Sequence, residues 1–128
     1  MEQTDWNNCY KIKVRELKEA QAKHLVVKTL LVQKLLIKHL KHRNHIRVYT
    51  EFNLGKRICD IYFENLRTRE VYIYEIQERI TDEWLEPTRK FYKDYEVYNM
   101  TNDLIVVSLR DLPDNLEDLY EQLNEYMM

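Results

Sequence analysis

Asp60, Glu75 and Gln77 lie inside two apolar runs, "ICDIYFE" and "EVYIYEIQ", separated by the polar stretch "NLRTR". An unpaired carboxylate in a sheet interior is costly, so acids at such positions call for a partner. Side chains two apart on a strand share a face, which puts Glu75 and Gln77 together with Val71 and Ile73 behind them. A short turn between the runs brings Asp60 close to Glu75 on the neighbouring strand. Two carboxylates so placed repel unless a cation or a proton joins them. Magnesium suits the pair: it takes oxygen ligands, commonly one or two carboxylates completed by water and a substrate phosphate, and the backbone carbonyl of Ile76 is a further candidate donor. Bound there, it would lower the pKa of a coordinated water and stabilise charge building on a phosphodiester. The plain alternative for Asp60 is a buried acid satisfied by Arg57 or by a backbone amide.

The elements that must position these groups follow from periodicity. "AQAKHLVVKTLLVQKLLIKHLKH" contains no breaker and reads as a helix, with Lys23, Lys34, Lys38 and Lys41 on one side. Leu25, Val26, Thr29, Leu30, Val32, Leu36, Ile37 and Leu40 are expected to form its wide buried arc. The lead-in from Tyr10 to Glu19 is either helical or irregular. At Ile46 the period changes to two: "IRVYTEF" sets Ile46, Val48, Thr50 and Phe52 against Arg47, Tyr49, Glu51 and Asn53. With the runs holding Asp60 and Glu75, it makes an antiparallel meander. Apolar residues on both faces predict that both are covered. Thr81 is the expected cap of the next helix, which either kinks or begins at Pro87. "DLIVVSL" reads as a strand in a sheet centre or paired in parallel, and "DLPDNLEDLYEQLNEYMM" as an acidic amphipathic helix over about 114–127 capped by Asp114. The order is helix, three strands, helix, strand, helix, an α/β sandwich around a mixed sheet.

With 128 residues, 45% hydrophobic and 33% charged, the chain is expected to be a single domain over 1–128, its core at about 21–110, inside the cell and off the membrane. Cys9 and Cys59 form no CxxC pair, which argues against a zinc site or a disulfide framework. His24, His39, His42 and His45 have no neighbouring cysteine or carboxylate in sequence and are expected at the border of core and water. A net charge of -2 argues against indiscriminate coating of nucleic acid, yet the charge is lopsided. Positions 11–47 are rich in Lys and Arg, and from Asp111 onward there are acids and neither Lys nor Arg.

Asp60 followed by Glu75-Ile76-Gln77, in this order of elements, resembles the PD-(D/E)XK nuclease superfamily in the variant whose E-x-K lysine is glutamine. The likeness is to small nucleases related to the competence protein CoiA and to archaeal Holliday-junction resolvases. "AKHLVVK" is similar to that group's helix-borne "EH...K", "TEFNLGKRICDIYF" to its "E..l...R.DVY", and "EIQERITDEW" through "TRKFYKDY" to its E-x-Q strand and the basic, aromatic helix after it. The resemblance spans about Gln21 to Leu109. It implies a restriction-endonuclease-like three-layer sandwich and a magnesium-dependent deoxyribonuclease, with manganese as a substitute and no organic cofactor. It further implies Asp60, Glu75 and Ile76 as metal ligands, Gln77 in the water-positioning place and Glu51 as an additional acid from the first strand. Lys56, Arg57, Arg89, Lys90 and Lys93 flank the implied cleft as DNA contacts, and the likeness implies a homodimer. There are two departures: Gln77 lacks the charge of the usual lysine, and Ala22 stands near where the group often has a first-helix glutamate. The rival reading is a catalytically inactive nuclease-fold module that binds DNA or protein.

Overall fold

The computed structural model describes residues 9–95 and 100–128. A two-residue strand, Tyr10–Lys11 (β1), is followed by an irregular lead-in and the helix Ala22–Lys38 (α1). The strands Ile46–Asn53 (β2), Ile58–Asn65 (β3) and Glu70–Gln77 (β4) come next, then the helix Asp82–Lys93 (α2), the strand Thr101–Ser108 (β5) and the short helix Leu116–Gln122 (α3). The sheet order is β1-β2-β3-β4-β5. β2, β3 and β4 are antiparallel, as the meander requires, while β1 and β5 add in parallel at the two edges. "DLIVVSL" thus pairs in parallel, but at an edge rather than in the centre.

Turn chemistry explains the tight connections. Asn53 Oδ1 accepts from the Gly55 amide at 2.8 Å, and Gly55 has φ 94°, a left-handed conformation that glycine adopts without a side-chain penalty. Asn65 Oδ1 accepts from the amides of Arg67 and Thr68 at 3.0 and 3.3 Å, closing the second turn in the same way. Thr81 caps α2 by accepting from the Trp84 amide, and Pro87 lies within the helix, so the helix does not begin at the proline. Asp114 is not the cap of α3. Asn115 is, accepting from the Asp118 amide at 3.1 Å.

Both sheet faces are covered, in three layers. Val27, Leu31, Val32 and Leu35 of α1 and Leu119 and Leu123 at the C-terminal end meet Ile46, Val48, Ile61, Phe63, Tyr74, Ile76 and Val107 on one face. Tyr92 of α2, with Phe91 and Tyr95, meets Cys59, Tyr62, Val71 and Ile73 on the other. The buried arc of α1 is rotated from the expected one. Lys28 and Lys34 are inside, whereas Val26, Ile37 and Leu40 are 38%, 57% and 47% exposed. Specific partners explain the two lysines: Lys28 joins a buried ion network, and Lys34 Nζ reaches Asn124 Oδ1 at 2.7 Å and lies 3.5 Å above the Tyr120 ring.

Alternation along β2 and β3 breaks at one place. Thr50 pairs with Ile61 and Phe52 with Cys59, but Phe52 and Cys59 join the cluster beneath α2 alongside Tyr49 and Tyr62, three residues away on each strand. Glu51, between them, has φ 50°. A left-handed residue in a strand reverses the side-chain alternation at a cost of about 1–2 kcal/mol, and it is the reason Phe52 does not share a face with Val48. The break falls where Glu51 and Asp60 lie between the paired positions Thr50–Ile61 and Phe52–Cys59.

A candidate active site where two strands part

The β3–β4 ladder runs from Asn65 and Glu70 to Ile61 and Tyr74. Beyond it Asp60 Oδ2 accepts from the Ile76 amide at 2.6 Å, so a side chain replaces the next rung. This carboxylate is 6% exposed. Of the two plain partners expected for it, the backbone amide is present and the guanidinium is Arg15 rather than Arg57: Arg15 Nη2 donates to Asp60 Oδ1 at 3.1 Å. Ile76 contributes its N–H to the site.

Arg15 opens a larger network on the α1 side. Its Nε donates to Glu51 Oε2 at 2.9 Å. Glu51 Oε1 accepts from Lys28 Nζ at 3.1 Å, and Lys28 Nζ also donates to Glu16 Oε1 at 2.8 Å and to the Lys13 carbonyl at 2.9 Å. The Lys28 and Glu16 side chains are fully buried. His24, on the first turns of α1, bridges Glu16 Oε2 at 2.6 Å through Nδ1 and Asp60 Oδ1 at 3.2 Å through Nε2. Three acids, Glu16, Glu51 and Asp60, thus face three basic groups, Arg15, His24 and Lys28. Burial would lift the Glu16 carboxyl, but hydrogen bonds from Lys28, His24 and the Arg15 amide outweigh it and hold it at about 2. Burial would likewise lower His24; its bonds to Asp60 and Glu16 prevail and raise it above the usual imidazole value.

The α2 side holds a smaller group. Tyr92 Oη donates to Glu75 Oε1 at 2.5 Å. Burial, together with the charges of Asp60 and Glu51, moves the Glu75 carboxyl up to about 7 against the opposing pull of Tyr92 and Arg57. Arg57 Nη2 donates to Thr88 Oγ1 at 3.0 Å, and its guanidinium carbon lies 5.7 Å from the centres of both the Phe91 and Tyr92 rings. Gln77 ends β4 on the Glu75 side by alternation, part-buried and level with Ser108.

Glu51 and Asp60 thus share Arg15 on the α1 side, while Glu75, next to the Ile76 amide that holds Asp60, turns to Tyr92 on the α2 side. Of the five basic residues expected at the cleft, Arg57 is committed to α2 and Lys56 is exposed at the hairpin tip. Arg89 and Lys93 line a pocket of about 400 Å³ with Tyr92 and Thr101 to Leu104, and Lys90 lies against Pro87, Phe91 and Tyr95 around a separate pocket. Sequence reasoning missed Arg15 and Glu16, which come from the undecided lead-in, and placed His24 at the border of core and water when it is a member of the network. The likeness of "AKHLVVK" to a helix-borne "H...K" was the available signal, since His24 and Lys28 are its histidine and lysine.

Among the described residues no group of three or more His, Cys, Asp or Glu stands ready to hold a metal ion. Magnesium needs no such cage, because one or two carboxylates with water and phosphate oxygens suffice. Asp60 and Glu75 offer hard oxygen donors on adjacent strands, with Asp60 bonded to the amide next to Glu75, and on that donor chemistry the residues fit the ion. No protein-family model matches the chain, and no curated protein or solved structure matches it either. Among the described residues no helix is long and apolar enough to cross a membrane.

Proposed function

We propose that the chain is a magnesium-dependent DNA endonuclease of the PD-(D/E)XK type, on a restriction-endonuclease-like fold, acting on phosphodiesters in branched or other recombination and repair intermediates. The observation that carries this reading is Asp60 held by the Ile76 amide beside Glu75 where β3 and β4 part, with Glu51 joined to Asp60 through Arg15. Supporting it are the meander with a parallel strand at each edge and the α1 pair His24 and Lys28 beside Asp60 and Glu51.

The bound dication would supply an acidified water and neutralise charge on the scissile phosphate. The rest falls to the protein. The Ile76 amide fixes Asp60, and Tyr92 fixes one oxygen of Glu75, so both carboxylates are held before substrate arrives. Gln77, sharing the Glu75 side, orients water by hydrogen bonds without lending charge. Arg57, acting electrostatically on Glu75 and anchored on Thr88, is the positive group on that side of the site. Lys56, Arg89, Lys90 and Lys93 are the remaining candidate phosphate contacts, and pairing into a homodimer is part of the proposal.

Supercoiled, linear and four-way-junction DNA incubated with magnesium or manganese tests the reading. Cleavage should appear, and Asp60→Asn and Glu75→Gln should each lower its rate by about a hundredfold or more, since even outer-shell changes at metal sites cost 10–100-fold. Intact DNA under all these conditions would sink the enzyme. One observation favours a second reading, an inactive module on the same fold: Arg15 already bridges Glu51 and Asp60. That reading predicts salt-sensitive DNA binding with no metal requirement.

A further inference from the structure

The geometry points to Arg15 as the resident cation of the acidic pair, a tethered guanidinium that a dication must replace before the site can work. This inference rests on the metal-dependent reading above. Arg15 touches two acids that come from different strands, Glu51 at 2.9 Å and Asp60 at 3.1 Å. Without it, these two carboxylates would have only Lys28 and His24 to offset them. Its bonds to both acids hold them in place when no dication is present.

The exchange needs little movement. The backbone on either side of Arg15 is pinned: the Lys13 amide donates to Thr50 Oγ1 at 2.5 Å, the Lys13 carbonyl accepts from Lys28, and the Glu16 carboxylate is buried among Lys28, His24 and the Arg15 amide. The Arg15 side chain itself is 50% exposed, against 12% for Glu51 and 6% for Asp60. The guanidinium can thus swing into water while the lead-in stays docked and Lys28 and His24 keep their places. An ion pair with one partner half in water is weak, on the order of 1 kcal/mol or less, and a doubly charged ion at the same carboxylates outbids it. Once released, Arg15 stands at the mouth of the site on a fixed backbone, where its planar fork suits a phosphate.

The test has two readouts besides activity. Calorimetric titration with manganese should give a dissociation constant about three- to tenfold tighter for Arg15→Gln than for the native chain, matching the loss of a weak competitor. Lys18→Gln, which removes the same charge from the same exposed lead-in without touching an acid, should leave that constant unchanged. In the native protein, the Arg15 Nε–H proton, slow to exchange while bonded to Glu51, should lose its protection as magnesium is added. Unchanged or weaker manganese binding in Arg15→Gln, an equal gain in Lys18→Gln, or an Nε–H that stays protected at saturating magnesium would each overturn the inference while leaving the metal site standing. Absence of binding in the native chain and in Arg15→Gln alike would overturn the metal site itself, and this inference with it.

Discussion

Lys28 shows how a charge can be buried at no obvious loss: its three ammonium bonds go to Glu16, Glu51 and the Lys13 carbonyl. Lys28→Met should remove all three and leave two acids short of a counter-charge, at a cost of about 3–5 kcal/mol in urea unfolding. Adding Glu16→Gln should recover part of that loss. Glu16 also fixes an acid limb of stability. Its folded value of about 2 lies below the ordinary 4.5, so its contribution is complete above about pH 4.5 and vanishes as the pH falls through 2. That contribution is on the order of 3 kcal/mol, and Glu16→Gln should flatten the stability curve across this window. Asp60 and Glu75 were legible because acids inside apolar runs stand out. Glu16 and Arg15 were not, since charged residues in "KIKVREL" look like solvated surface, and only the fold shows one carboxylate fully buried.

At the level of elements, Thr88 ties α2 to Arg57 in the β2–β3 turn, beside the apolar packing of Tyr92 on Cys59 and Tyr62. Thr88, fully buried, donates to the Trp84 carbonyl at 2.6 Å and accepts from Arg57. Thr88→Val keeps the volume and removes the hydroxyl, and it should cost roughly 1.5–3 kcal/mol through the bond to a charged group. It should also weaken DNA binding by freeing Arg57. Strands and helices themselves were readable from period and breakers: the meander and the Thr81 cap stand as expected, and the acidic last helix forms over the shorter span Leu116–Gln122 with Asn115 as its cap. What periodicity could not supply was the change of face at Glu51, because a backbone in the left-handed region leaves no trace in the alternation of residue types. The rotated face of α1 escaped for a related reason. Hydrophobicity cannot foresee a lysine drawn inward by buried acids or covered by Tyr120.

Over the whole molecule, a net charge of -2 coexists with a basic first half and an acidic end. Lys23 of α1 joins the two, donating to Asp114 and to the Leu112 carbonyl at 2.8 and 2.7 Å. Part of the lopsided charge is therefore consumed within the fold. Binding to DNA should accordingly show a shallow dependence on salt. Removing Lys56 or Lys93 should weaken affinity evenly across sequences and lower the slope of log K against log salt by about 1 each, measured by fluorescence anisotropy. A steep slope that neither change alters would place the nucleic-acid face elsewhere.

Cys59 stands one residue before Asp60, fully buried beneath α2, its thiol pushed far above the ordinary value by burial and by the charges of Glu75 and Asp60. In that state it is inert to alkylating reagents, because only a thiolate attacks. Any labelling of this sulfur in the native protein must therefore pass through a moment when the sheet end comes apart. The speed of that labelling becomes a clock for the breathing of the acidic centre, and a ligand that locks the centre shut should slow it.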